Sequence, residues 1–481
     1  MASLAQPAVS SRDSLTRRAL LVAVLWLGFW LLGLGLVGAL LLVPVAEIRL
    51  LGHPGMEGLI CGGVGLTLAY SLRPRRAARD GKDVVPMPLQ REEAPQLFDF
   101  IERIARDLGV HAPVEIHLAT AATAFIGAER SWTGKVTKLS VGIGLPLFTS
   151  LSERELGAVL VHEFGHFVGG DVLLSPWVYR TRTSIGAAVH ALDDSFFLLD
   201  RPFRGYGNWF MRLSGAVSRA QEYSADALGA RLFGAAAMGA ALEKVHLVEP
   251  AWDAYFHRDL VPALDCGVRV PVFDGFRRFC AASPKRPDVQ GAIDKAAHRA
   301  ASPYDTHPEL DERLAALGIG TGRLPKPASC TSLMGDEAHL EALWFRRIGA
   351  SDWTAADWDA FGDAGLRARI ERRFAGTGMA PEQLPLTELP AIVQSLDEWW
   401  TRLRPEGVSL LSPEGKRRYV LGIVQEWIMA CLYHAGFVLR VRPGLPLVLE
   451  RDGVTVEPVA LLASACAGTV TAAELARHGP R

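Results

Sequence analysis

The sequence predicts an α+β, mainly helical chain that is carried on an N-terminal transmembrane hairpin and continued by a C-terminal α+β extension. Three observations predict it. Uncharged apolar runs dominate residues 19–72; helix-like and strand-like patterns follow one another from residue 89 without a regular βαβ alternation; and a second group of helices and short strands closes the chain after residue 330. With 481 residues, 49% hydrophobic and 21% charged, the chain has room for two or three domains and carries an apolar excess. Its net charge of −1 provides no basic field, which sets nucleic-acid binding aside.

Residues 1–18 form a short tail, followed by the uncharged run Ala19–Ala46, "ALLVAVLWLGFWLLGLGLVGALLLVPVA". About 20 apolar residues cross a bilayer, whereas a signal peptide's apolar core is about 7–15, so a retained span fits better. A second run, Gly58–Leu72, is shorter and also suits a buried helix unless Leu50–Met56 extends it. The expected spans are about 19–45 and 54–72 within a hairpin of residues 19–72. Arg17 and Arg18 precede the first run, and Arg73, Arg75, Arg76 and Arg79 follow the second. The positive-inside rule then puts both flanks in the cytoplasm and "EIRLLGHPGMEG" outside. The six cysteines, at 61, 266, 280, 330, 431 and 466, form no C-x-x-C pair and no dense disulfide framework, which suits a reducing compartment.

After a linker at 73–88, Leu97, Ile101, Ile104 and Leu108 mark a helical stripe. "APVEIHLA", from Ala112, reads as a strand, and "AFIGAERSWTGKVTKLSVG" as a further strand or hairpin with Thr-Gly at its turn. Ser152 and Glu155 then form a capping box that opens a helix, with Gly169-Gly170 as its stop signal.

That helix contains "AVLVHEFGHFVGGD". His162 and His166 stand four residues apart, so both imidazoles leave one side of the helix, one turn apart. Neutral imidazole is a preferred zinc ligand, and Glu163, next to the first histidine, suits a general base acting on metal-bound water. The motif is short, and a polar helix without metal also matches it. Downstream, "AVSRAQEYSADALGARLFG" carries Glu222 and Asp226 at i and i+4. Alone they read as an acidic helix face. Beside the histidines, Glu222 is the candidate third ligand, and Asp226 a hydrogen-bond acceptor for a ligand histidine's other ring N–H.

"VLVHEFGHFVGGD", "VSRAQEYSADALGARL" and "THPELDERLAAL" together resemble the zinc metallopeptidase family of the heat-shock membrane protease HtpX and the CAAX prenyl proteases, over roughly residues 83–320 and the hairpin. The resemblance implies a zincin-like metallopeptidase domain at 89–320, followed by an extension of unassigned role at 330–481. It implies one Zn2+ per chain on His162, His166 and Glu222, Glu163 as base, and Asp226 behind the ligands. Arg219 matches the family's S-R-x-x-E-x-x-A-D arginine, with a role in orienting Glu222 or approaching the oxyanion. His307, in its T-H-P segment, is a transition-state donor, a displaceable fourth ligand or a loop anchor; being followed by proline, it marks a loop ahead of a helix through Leu310, Leu314 and Leu317. Thr123, Ala124 and Phe125 stand where relatives often carry Asn-Ala-Phe, so the substrate contacts of that Asn do not transfer directly. Val172–Leu213 lacks the clean spanning pair of HtpX-type members, and its aromatic part, "SFFLLDRPFRGYGNWFMRLSG", reads as a lid or as an ordinary core helix with a loop.

The extension contains Trp344, Trp353 and Trp358, then "DEWWTRL" and a buried helix over Tyr419–Phe437. It ends in a short β unit with Arg451-Asp452-Gly453 near a hairpin turn, followed by a helix. The expected function is a membrane-anchored zinc endopeptidase in the bacterial inner or plasma membrane, its catalytic domain facing the cytoplasm. It would hydrolyse misfolded or membrane-associated polypeptides in protein quality control by Glu-activated, zinc-bound water. A narrow processing peptidase is a rival within the enzyme class, and a protease-like scaffold or membrane sensor that binds a partner through its C-terminal region is the alternative outside it. The sequence sets no oligomeric state.

Overall fold

Helix α1, Arg12–Leu51, is 40 residues long and runs past both ends of the expected first span. The computed structural model describes residues 12–72, 87–131, 136–168, 200–282, 290–291, 308–320, 328–375, 378–404 and 412–480. Within α1, Ala23–Leu51 is long and apolar enough to cross a membrane; the second helix, α2 (Met56–Leu72), is apolar over Met56–Tyr70 but shorter. The two lie antiparallel. Gly52, at φ +79°, takes the left-handed turn that ends α1, and the Glu47 carboxylate accepts from the amides of Gly55 (2.6 Å) and Gly58 (3.0 Å), holding the start of α2. Gly62 faces Pro44, and Gly65 faces Leu40 and Leu41, where the absent side chains let the helices meet.

The chain divides into two compact units, Met1–Glu249 with His298–Gly335, and Pro250–Ala297 with Asp336–Arg481. Residues 250–297 thus fall in the second unit, inside the stretch expected for the peptidase domain. In the first unit, strand β1 (Met87–Leu89) leads to α3 (Pro95–Asp107), which starts on a proline and buries Leu97, Phe98, Ile101 and Ile104 along one stripe. Strands β2 (Val114–Ala119), β3 (Ala124–Arg130) and β4 (Val136–Gly144) complete a sheet of order β1-β2-β4-β3. The pair β3–β4 is antiparallel, as the hairpin reading expects, with its Thr-Gly turn outside the described residues. Strand β2 runs parallel to β4, which leaves β3 at a sheet edge.

From β4 the chain passes through α4 (Leu145–Ser150) into α5 (Glu153–Val168). The capping box is formed: the Glu155 amide donates to Ser152 Oγ (3.3 Å), and the Ser152 amide to Glu155 Oε2 (2.7 Å). Gly169-Gly170 and residues 172–199 lie outside the described residues. Helix α6, Asp200–Phe233, resumes the chain and ends at Gly234 (φ +97°), whose amide donates to Ala230 O, before α7 (Ala235–Tyr255). The first unit also holds the short helix Leu310–Ala316, with Leu314 buried.

In the second unit, Pro413–His434 is a buried helix, with Val420, Val424, Trp427, Ile428 and Leu432 inside, so the expected helix over Tyr419–Phe437 ends three residues early. Strands Val438–Arg440, Val448–Arg451 and Val454–Val456 form an antiparallel meander. Asp452 and Gly453, at φ +51° and +79°, make the two-residue turn that the Asp-Gly pair predicts.

Candidate metal centre

Small residues bring α5 and α6 together. A Cβ at Gly165 would lie 3.1 Å from Ala225 Cα, and one at Gly229 would lie 2.9 Å from Ala158 O; at Gly157 it would strike the Phe233 ring. Backbone therefore meets backbone at Gly165 and Gly229, closer than larger side chains allow. The histidines, on α5, and Glu222, on α6, share this seam.

His162 Nε2 and His166 Nε2 are 3.1 Å apart. His162 Nε2 lies 3.4 Å from Glu222 Oε2, and His166 Nε2 lies 3.4 Å from Glu222 Oε1. His162 and Glu222 are buried and His166 is half-buried. Among the described residues these three form a group able to hold a metal ion. Tetrahedral zinc with ligands at about 2.0–2.1 Å spaces its donor atoms about 3.3–3.4 Å apart. Two imidazole nitrogens and one carboxylate at these separations fit zinc, with a fourth corner left for water or substrate.

Behind the donors lies a second layer that fixes them. His162 Nδ1 is 2.8 Å from Asp226 Oδ1, a hydrogen bond that keeps the proton on Nδ1 and turns the Nε2 lone pair toward the shared centre. Asp226, fully buried, is gripped in turn by Arg313: Nε donates to Oδ2 (2.8 Å) and NH2 to Oδ1 (2.7 Å). The same NH2 lies 3.5 Å from Glu222 Oε2. Burial pulls the His162 pKa down, but the hydrogen bonds to Asp226 and Glu222 outweigh it and lift the value to about 9. Burial pushes the Asp226 carboxyl up, yet hydrogen bonds from Arg313 and His162 hold it below its ordinary value. The site thus favours positive charge at its centre, from a proton or a metal ion.

Arg313 is the residue that sequence reasoning missed. It sits in "THPELDERL", the segment that also carries His307, which lies outside the described residues. Arg219, the arginine expected near Glu222, is exposed on α6, one turn before that carboxylate. Glu163 is half-buried on α5, next to His162, and its charge helps to raise the His162 and Arg313 pKa values. Thr123 enters β3 with its carbonyl accepting from Gly144 N (2.7 Å); Ala124 pairs with Ile143 and Phe125 with Gly142, whose missing side chain leaves room for the Phe125 ring. Helix α5 packs against this edge strand.

Residues 91–318 match the family described as peptidase family M48. A protease HtpX from Stutzerimonas stutzeri is 26% identical over 253 residues, covering 49% of this chain and 76% of that protein. One from Hahella chejuensis is 25% identical over 313 residues, covering 58% of this chain and 94% of its own. A crystal structure of Ste24p from S. mikatae overlaps 60% of this chain and 63% of that one at 15% identity and a TM-score of 0.27, too slight an overlap to argue from.

Proposed function

This chain belongs to peptidase family M48 through residues 91–318, and on that premise we propose that it is a membrane-anchored zinc endopeptidase. The observation that carries the proposal is the convergence of His162, His166 and Glu222 at zinc-ligand spacing, with Glu163 one residue from the first histidine. Residues 19–72 serve as the anchor, 89–320 as the peptidase region and 330–481 as an extension. The arginines flanking the hairpin favour a catalytic region on the cytoplasmic side of a bacterial inner or plasma membrane.

His162, His166 and Glu222 would hold one zinc ion. When bound, zinc supplies Lewis acidity, which polarises the scissile carbonyl and acidifies the attacking water. Glu163 takes the proton from that water and returns it to the leaving amine, so no acyl-enzyme is required. Asp226 fixes the His162 tautomer, and Arg313 keeps Asp226 ionised and in place. Edge strand β3, beginning at Thr123–Phe125, binds an extended chain through its backbone, which suits clearance of varied misfolded or membrane-associated polypeptides.

Zinc content and casein cleavage by the detergent-purified protein, beside Glu163→Gln, test this reading. One zinc per chain in both proteins, with cleavage only in the unmodified one, is expected. Folded protein without zinc would overturn the metal site; zinc without cleavage by either form would favour a scaffold or a narrow substrate.

A further inference from the structure

Helix α7, Ala235–Tyr255, belongs to both compact units, whose boundary falls inside it between Glu249 and Pro250. Its first half is built into the first unit. Met238 and Ala241 are buried, Gly239 admits Ile319, whose Cδ1 would lie 2.4 Å from a Cβ there, and Lys244 Nζ donates to Glu155 Oε2 at 2.7 Å. Its last turn is built into the second. Trp252 meets Phe276 edge-on at 5.0 Å, and the buried Tyr255 packs on Phe279 and Trp358 and donates to Val272 O (2.7 Å). Pro250 withholds an amide from the helical ladder, yet the helix runs on through it to Tyr255. Lys244 and Trp252 are thus about 12 Å apart along one helix.

A second connection leaves from the same place. Before the chain enters the second unit at Asp336, the Cys330 amide donates to Phe148 O (2.8 Å), Ser332 Oγ donates to Glu153 Oε1 (2.8 Å), and Leu333 and Met334 are buried. Gly335, at φ +86°, turns the chain, and Asp336 caps the helix Glu337–Arg347 by accepting from the His339 amide (2.7 Å). The third crossing, between Ala297 and His298, lies outside the described residues. Both described connections are therefore fastened, through Glu155 and Glu153, to the first turn of the helix that carries His162 and His166.

Glu155 stands about two turns before His162, so a displacement of the first turn of α5 reaches the histidines through one helix. Glu222 sits on the other side of the seam, on α6, and a metal site tolerates misplacement of its donors by only about 0.5 Å. We infer that the second unit regulates the metal centre: while its core is ordered, α7 and residues 330–335 hold the first turn of α5 where the histidines meet Glu222, and when it loosens they release that turn. This rests on the metal site of the peptidase reading above. Linkage is reciprocal, so zinc orders the second unit by the same factor by which that unit tightens zinc.

Hydrogen exchange of the metal-free full chain in detergent, with and without added Zn2+, reads this coupling. Amides of the second-unit helices Val272–Ala282 and Glu337–Arg347 are expected to exchange about fivefold more slowly with zinc. Lys244→Met/Glu155→Gln/Ser332→Ala removes both side-chain fastenings without leaving a buried charge. In that triple variant the slowing is expected to fall below about twofold, while zinc, followed by chelator competition, binds about fivefold more weakly. Trp252→Ala, acting from the far end of α7, is expected to weaken zinc by about the same factor in the unmodified chain and to add nothing in the triple variant. Exchange of the unmodified protein decides the matter if Trp252→Ala does not fold. Zinc bound with second-unit exchange unchanged, or slowing that persists in the triple variant, overturns the regulation and leaves the metal centre standing. A folded chain that takes up no zinc overturns the peptidase reading and this inference with it.

Discussion

Replacing Lys244 by methionine removes the cation that neutralises Glu155 at the start of the histidine-bearing helix. Lys244 Nζ donates to Glu155 Oε2 at 2.7 Å, and the two side chains are only 6% and 12% exposed. Breaking such a pair from one side costs about 3–5 kcal/mol, because the remaining charge stays buried without compensation. Glu155 keeps the hydrogen bond from the Ser152 amide, which places the expected loss near the lower end, about 3 kcal/mol. In a unit of this size that lowers the melting midpoint by roughly 6–12 °C. The double variant Lys244→Met/Glu155→Gln retains an acceptor for Ser152 without a buried charge and is expected to lose only about 1 kcal/mol. Thermal melts in detergent, followed by helical circular dichroism, measure both. A single variant that melts with the unmodified protein, or a double variant no more stable than the single, would refute the reasoning.

Three further outcomes follow from the same geometry. Asp226→Asn is expected to bind zinc about 10–100-fold more weakly, read by competition with a chromogenic chelator; unchanged affinity would deny Asp226 its hold on His162. Gly165→Leu forces α5 away from the Ala225 backbone and is expected to lower zinc retention at least tenfold while the second unit stays folded, with limited proteolysis reporting on each unit. In that second unit, burial raises the Glu341 carboxyl from 4.5 to about 7, although it accepts from the Phe273 amide (2.9 Å). A raised carboxyl stabilises the fold fully below pH 4.5, and that contribution is lost as pH rises through 7, on the order of 3 kcal/mol. Glu341→Gln should therefore raise the melting midpoint at pH 8 and leave it nearly unchanged at pH 4; an equal effect at both would refute the shift.

Patterns that are local in the chain were legible. The Ser152–Glu155 box, the i,i+4 spacing of His162 and His166, and that of Glu222 and Asp226 all follow from helical geometry, so motif and structure agree there. The Asp452-Gly453 turn was legible for a similar reason, since its positive φ angles select those residues. Other features were hidden by chain separation. Arg313 lies 87 residues beyond Asp226, and nothing in its own segment distinguishes it from an ordinary helix-surface arginine. Lys244 is 89 residues from Glu155, and read alone it looks like a solvent-exposed charge on an apolar helix.

By itself the sequence determined the types of element, the apolar N-terminal helices and the chemical identity of the candidate donors, because side-chain chemistry and helical or strand periodicity are properties of short stretches. Only the tertiary structure decided which arginine secures Asp226, that glycines at 165 and 229 let two helix backbones approach closely enough for three donors to converge, and that the α1 stretch near Leu25 rests on Tyr206. Those are contacts between residues far apart in the chain, set by how packed helices exclude one another's volume, and no local pattern encodes that partner choice.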